Sequence, residues 1–306
     1  FTFDWDTTGE ANGSHDIEAI AYDCAGNQAI DQIEVIVDNE PPTVSIDDPP
    51  DGSIVNGTTP IDVSAEDNEC LERVELYIDG VLVETEIVTP PGGTNTNFTF
   101  DWDTTGEANG SHDIETIAYD CAGNQTADQI ELIVDNVPPV VSIDDPPDGS
   151  IVEGLTPIDI SASDDRCLER VELYIDGVLV ETVIITPPGG TIADFTFAWD
   201  TTVEADGPHN IEAVAIDCAG NEATDQIQLI VDNEPPEVSI DNPADGDLVT
   251  ETTSINVSSS DNECLERVEL YIDGVLVRTE VIAPPGGTTA DFTFDWNTLA
   301  YSNGPH

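Results

Sequence analysis

The stretch Asp67-Asn68-Glu69-Cys70 places carboxylate and amide oxygens directly ahead of a thiol, and it recurs as Asp164-Asp165-Arg166-Cys167 and Asp261-Asn262-Glu263-Cys264. Side-chain oxygens are the ligands a hard cation such as Ca²⁺ takes. A thiol at a fixed place in each copy reads as a crosslinking residue. Each copy runs into an alternating segment: Val74, Leu76 and Ile78 interleave with Arg73, Glu75 and Tyr77, the period-2 pattern of a strand with one dry and one wet face. Asp79-Gly80 then interrupts the run before Val81-Leu82-Val83, which predicts a tight hairpin.

These motifs return every 97 residues: Phe1, Phe98, Phe195 and Phe292 each open a Phe-Thr-Phe-x-Trp run, and Pro41-Pro42 returns as Pro138-Pro139 and Pro235-Pro236. A period near 100 residues is too long for a solenoid unit and fits a self-contained domain. The spacing predicts two whole repeats, 41–137 and 138–234, between the last part of one repeat at 1–40 and the first part of another at 235–306. The chain therefore reads as an excerpt of a longer periodic protein, whose termini, leader and anchor lie outside it.

The formal net charge is −60, from 65 acidic residues against five basic ones, all arginine. Phosphate binding needs a cationic footprint, so nucleic acid is not an expected partner. Such a charge keeps copies soluble and apart, and it calls for salt or bound cations to offset its self-repulsion; the absence of lysine suits a saline habitat. The apolar content of 39% and its regular alternation argue for folded domains over disorder. Six cysteines at two fixed points per repeat point to disulfides and an oxidising compartment.

Within one repeat, Pro41-Pro42 forms a stiff joint. Val44 and Ile46 make a first strand, Asp48 to Ser53 a turn, and Ile61, Val63 and Ala65 a second strand. The Val74 strand and its hairpin partner follow. After the Pro90-Pro91-Gly92-Gly93 loop, Phe98, Phe100 and Trp102 share one face and are expected at the centre of the core. Asp103 to Asn109 is a polar connection; Ile114, Thr116 and Ala118 mark the next strand, Asp120 to Asn124 a turn, and Ile130, Leu132 and Val134 the last strand. Short strands with turn signals between them and no helical period specify an all-β fold, a tandem array of antiparallel β-sandwich domains.

Pro-Pro-x-Val-x-Ile, Asp-Asn-x-x-x-x-x-Val-Glu-x-Tyr-x-Asp-Gly, Phe-x-Phe-x-Trp-Asp-Thr and Asn-Gly-x-His-x-Ile-x-x-x-Ala-x-Asp-x-Ala-Gly-Asn together cover nearly all of repeat 41–137. The repeat resembles the bacterial immunoglobulin-like repeat of secreted and cell-surface proteins. That resemblance implies an immunoglobulin-like sandwich used as a stalk, spacer or adhesive module, with no particular ligand. In the topology it implies, the loops of Cys70 and Cys121 share one end of the sandwich, giving the bridges Cys70–Cys121 and Cys167–Cys218. Cys24 and Cys264 would then find their partners outside the excerpt. The alternative, Cys24 with Cys70 and so on, must span a strand length, about 35 Å, against the roughly 7 Å between Cα atoms that a bridge tolerates.

The same implied topology brings three segments to one end of each repeat. For repeat 41–137 they are Asp38, Asn39 and Glu40 at the joint, Asp67, Asn68 and Glu69, and the turn from Asp120 to Asn124. For 138–234 they are Asp135 and Asn136, Asp164 and Asp165, and Asp217 and Asn221; for the last repeat, Asp232 and Asn233 with Asp261 and Asn262. Calcium at these joints is the expected cofactor. Val137 in place of Glu40 and Arg166 in place of Glu69 make the joint before 138–234 the weakest binder. No EF-hand contributes, because Asp47 to Gly52 has a proline at its third position. The competing reading is that these acids form a solvated surface suited to high salt.

Other chemistry finds little support in the residues. His15, His112, His209 and His306 have no nucleophile at fixed spacing and read as strand-edge packing rather than catalysis. Two cysteines and one distant histidine per repeat are too few for zinc. Asn12, Asn56, Asn97, Asn109, Asn124 and Asn256 head glycosylation sequons. The expectation is a non-enzymatic structural or adhesive extracellular protein, a rod or filament whose partners are its own neighbouring repeats, other copies in a fibre or a surface ligand. Alternatives are a surface binding module for glycan or protein and the spacer region of a secreted hydrolase.

Overall fold

The computed structural model describes residues 2–89, 93–186, 190–282 and 287–305; the expected loop at Pro90, Pro91 and Gly92, together with Phe1 and His306, lies outside the described residues. The chain divides into two units, one of Phe1–Pro138 with Asp217–Asn221, the other of Pro139–Ile216 with Glu222–His306.

The first unit opens with a hairpin of β1 (Gly13–Tyr22) and β2 (Gln28–Val37). There follow β3 (Thr43–Asp48), β4 (Ile54–Val55), β5 (Thr58–Glu66), β6 (Leu71–Ile78), β7 (Val81–Ile87), β8 (Asn95–Asp103), β9 (Gly110–Asp120) and β10 (Gln125–Val134). These build a three-stranded sheet in the order β3-β5-β8 and a five-stranded sheet in the order β4-β10-β9-β6-β7. Ile61 and Val63 of β5, Val74 and Leu76 of β6, Ile114 of β9, and Leu132 and Val134 of β10 meet in one core between the sheets. The alternation expected from the sequence is what places them there, since successive side chains of a strand point to opposite faces. Asp79 and Gly80 close the β6–β7 hairpin with φ of 49° and 75°, the two positive values a type I′ turn requires.

Three features differ from the sequence reading. Trp102 is buried, but Phe98 and Phe100 are only partly so, because β8 is an edge strand whose neighbour on one side is absent; the largest fully buried side chains are aliphatic. The two-residue β4 pairs parallel with β10, so the sandwich is not purely antiparallel. The connection after Asp103 contains a single 3-10 turn, Thr104–Gly106, capped by the Asp103 carboxylate.

The second unit repeats the plan with β11 (Val140–Asp145), β12 (Ile151–Val152), β13 (Leu155–Ser163), β14 (Leu168–Ile175), β15 (Val178–Ile184), β16 (Ile192–Asp200), β17 (Gly207–Asp217) and β18 (Glu222–Val231). Its sheets are β11-β13-β16 and β12-β18-β17-β14-β15. It continues with β19 (Glu237–Asn242), β20 (Thr252–Ser260), β21 (Arg267–Ile272), β22 (Val275–Val281) and β23 (Thr289–Asn297), which enclose a smaller core around Val257, Leu270 and Trp296.

Candidate cation site at the joint before residue 41

Two loops and one strand exit build the site. Asp67 ends the run after β5, and its Oδ1 accepts the backbone N–H groups of Glu69 (2.9 Å) and Cys70 (2.7 Å), so the carboxylate itself forms the turn into β6. Asp120 ends β9 and does the same more fully: its Oδ1 accepts from Ala122 (2.9 Å), Gly123 (2.6 Å) and Asn124 (2.7 Å), and its Oδ2 from the Asn124 amide (2.6 Å). Asp38 arrives from β2, and its carbonyl accepts from the same Asn124 amide at 3.2 Å. One carboxylate oxygen from each of Asp38, Asp67 and Asp120 lies within 4.8 Å of the others.

Burial and mutual repulsion make this a strained arrangement of charge. Asp120 is 1% and Asp67 9% exposed, and the Asp67 Oδ2 atom is buried with no hydrogen-bond partner among the described residues. Burial, and then the charges of Asp67, Asp120 and Glu69, hold the Asp38 carboxyl above its ordinary pKa against the opposing pull of the Glu40 backbone N–H. Cys70 and Cys121 form a disulfide, Cα to Cα 5.5 Å across 51 positions. Cys121 follows Asp120 directly and Cys70 stands three residues after Asp67, so the bridge joins the two loops that carry these carboxylates. A second link parallels it, the Cys121 N–H donating to the Cys70 carbonyl at 2.9 Å. Cys167 and Cys218 are disulfide-bonded as well, and Cys24 and Cys264 are free.

Other residues that the sequence suggested for the joints do different work. The Asn39 backbone N–H donates to Asn12 Oδ1 and its side-chain amide to the Thr7 carbonyl, both at 2.9 Å. Asn136 makes the same pair of bonds to Asn109 Oδ1 (3.1 Å) and the Thr104 carbonyl (2.8 Å), and Asn233 to Asp206 Oδ1 (2.9 Å) and the Thr201 carbonyl (2.7 Å). Each asparagine thus ties the exit of its last strand back onto its own repeat, a role that the sequence reading missed; its regular place after Asp38, Asp135 and Asp232 was the available signal. Glu40 and Asn68 are exposed and stand outside the three-carboxylate group. Asp51 accepts the Glu131 backbone N–H of β10 at 2.9 Å, and Asp103 accepts that of Thr105 in a local turn.

Elsewhere the same turn chemistry recurs. In the second unit Asp164 Oδ1 accepts from Arg166 and Cys167, both at 2.8 Å, and Asp165 is exposed. Asp217 holds Asn221 through its backbone and side chain, and the Asn221 amide reaches the Asp135 carbonyl at 2.9 Å. Asp261 Oδ1 takes Glu263 and Cys264, and Asn262 donates to Asp206. The Asp232 carboxyl is held above its ordinary pKa by burial and then by Asp261 and Asp206. Of the sequon asparagines, Asn97 and Asn256 are exposed on strands, whereas Asn56 and Asn124 already use their amides in hydrogen bonds.

The histidines are structural bridges. His112 sits between the Asp79 carboxylate (Nδ1, 2.7 Å) and the Ala108 carbonyl (Nε2, 2.8 Å), with the Trp102 ring edge-on at 5.4 Å; His209 repeats this with Asp176, Ala205 and Trp199. Two acceptors on one imidazole call for both nitrogens to donate, the protonated form. Burial lowers the pKa of each, but the carbonyl and the carboxylate outweigh it and hold both above the ordinary value. On the outer face of the five-stranded sheet, Arg73 donates to Glu75 at 2.8 Å and lies 3.8 Å over the Tyr119 ring. The hydrogen bond from Tyr77 to Glu75 pushes that phenol up to about 12.

Comparison with known proteins places this architecture. A model of the bacterial Ig domain matches residues 42–115, 139–213 and 236–306, and one of the bacterial Ig-like domain (group 3) matches 1–77 and 96–175. The long isoform of an ulvan lyase from Pseudoalteromonas sp. (strain PLSV) is 37% identical over 103 residues, covering 32% of this chain and 9% of that protein. Among solved structures, the fibronectin(III)-like modules of Clostridium thermocellum CbhA align at a TM-score of 0.41 and 22% identity, over 62% of this chain and 94% of theirs. A tetra-tandem repeat from the extending region of a large adhesion protein aligns at 0.31 and 21%, over 96% and 76%. With family matches over more than half of its length, the chain belongs to the bacterial Ig domain family.

Proposed function

We propose that this chain is a mechanical spacer of an extracellular or cell-surface protein, a run of non-catalytic sandwiches that sets reach, in a stalk, adhesin or filament. The observation that carries the reading is the joint itself. Asn39 fastens it to the preceding hairpin through Thr7 and Asn12, while Asn124 fastens the adjacent Asp38 to the following sandwich. An oxidising compartment fits the two bonded cysteine pairs. The close similarity of successive repeats suits a spacer better than a selective receptor. Its partners are then its own neighbouring repeats, with other copies in a fibre or a surface ligand as further partners.

Pulling the chain by its ends tests this. At about 3.5 Å per residue, a 97-residue repeat lengthens by roughly 340 Å when reduced. It lengthens by only roughly 160 Å while the bridge keeps its 51-position loop closed. Discrete steps of that size support the reading; a smooth extension without steps sinks it. The match to the ulvan lyase favours a second reading, a spacer within a polysaccharide-acting enzyme. Unchanged electrophoretic mobility of this chain in gels containing ulvan is expected of either spacer; retardation would make it a binding module instead.

A further inference from the structure

We propose that Asp38, Asp67 and Asp120 bind one Ca²⁺ ion and that the Cys70–Cys121 bridge sets the spacing of two of these three ligands. The donor set is all oxygen, which selects a hard cation. Two oxygens on one Ca²⁺ stand up to about 5 Å apart, and the three carboxylates meet that limit, within 4.8 Å of one another.

An acidic cluster alone would prove little in so acidic a chain. A second observation is Asp67 itself: it is 9% exposed, its Oδ1 is used by two backbone N–H groups, and its Oδ2 is buried with no donor among the described residues. A buried carboxylate oxygen without a donor is costly, and a cation in the cluster supplies what it lacks. The Arg73 guanidinium is already held by Glu72 and Glu75.

Preorganisation is built in. Four hydrogen bonds fix the Asp120 carboxylate, and the bridge ties its loop to that of Asp67. Only Asp38 comes from the other side of the joint, so an ion held by all three ties the exit of β2 to the sandwich that follows. The binding stands on the geometry alone; its mechanical consequence, a stiffer joint, rests on the spacer reading.

The test is calorimetric titration of CaCl₂ into the whole chain after EDTA dialysis, with Asp67→Asn and Asp38→Asn beside it. In Asp67→Asn the amide oxygen can still accept the two turn N–H groups, so the fold is retained while the anionic oxygen is lost. Should it fail to fold, Asp38→Asn, whose side chain supports no strand, carries the test. Each variant is expected to lose one Ca²⁺ equivalent or weaken it at least tenfold. Reduction with a mild thiol, to which the exposed Cys121 is open, is expected to weaken the same site several-fold. Equal Ca²⁺ stoichiometry and affinity in the wild type and both variants would overturn the site, and Mg²⁺ binding as tightly as Ca²⁺ would overturn the choice of ion. Affinity unmoved by reduction would overturn the role of the bridge. The stepwise extension expected of a spacer survives any of these results, so the two readings fail separately.

Discussion

The hairpins β1–β2 and β9–β10 are the same piece of sequence in two settings. Their registers correspond pair for pair, Gly13 opposite Val37 and Gly110 opposite Val134 at one end, Tyr22 opposite Gln28 and Tyr119 opposite Gln125 at the other. Local contacts correspond too: His15 and His112 both reach the carbonyl four residues back at 2.8 Å, and both meet a tryptophan edge-on. Asp23 grips Asn27 as Asp120 grips Asn124. What differs is everything that β6 and its loops supply. Ile17 is 40% exposed where Ile114 is 0%, Cys24 is free where Cys121 is bonded, and among the described residues His112 alone of this pair has an aspartate against its second nitrogen. A hairpin's own residues therefore set its pairing, while burial, crosslinking and the carboxylate partner of its histidine come from residues about 30 to 50 positions upstream.

The largest effect should come from the cystine. Replacing Cys70 and Cys121 by alanine is expected to cost the 41–137 sandwich about 4 kcal/mol, from the loop of 51 positions that it closes. Cys24→Ala should leave calorimetric melting unchanged; a matching loss there would break the comparison. Next comes Ile114→Ala, expected to cost about 3 kcal/mol by chemical denaturation through the cavity it leaves. Ile17→Ala, on a half-exposed face, should stay within about 0.5 kcal/mol.

The smallest effect sharpens the electrostatic contrast. His112→Gln should cost about 1–2 kcal/mol and His15→Gln less. The pH dependence has a definite sign. The folded state holds the His112 proton more tightly than the unfolded chain, where the group titrates near 6.5. Its contribution is therefore complete below about that pH and is lost as pH rises through the raised folded value. Melting temperature should fall between pH 6 and pH 8, and His112→Gln should flatten that fall; an unchanged profile in the variant would remove the Asp79 pairing from the account.

Much of this was legible from residue order. The alternation at Val74, Leu76 and Ile78, the turn at Asp79-Gly80 and the repeat spacing need only chain-local rules, because side-chain direction in a strand and the backbone angles of a two-residue turn are properties of a few adjacent residues. The half-burial of Phe98 and Phe100 was not legible, since a strand's pattern does not say whether it will lie at a sheet edge. Nor was the parallel pairing of Ile54 and Val55, too short a run to carry a period. Among many candidate oxygens, the sequence could not separate Asp38, which faces the following loops, from Asn39, which turns back to Thr7.

By itself, then, the sequence determined the repeating all-β units, their inward residues and the acidic loops beside each thiol. Only the tertiary structure decided which of the candidate carboxylates converge and which histidine meets an aspartate. Those outcomes depend on distances between segments far apart along the chain, and such distances exist only once two sheets have closed over a common core.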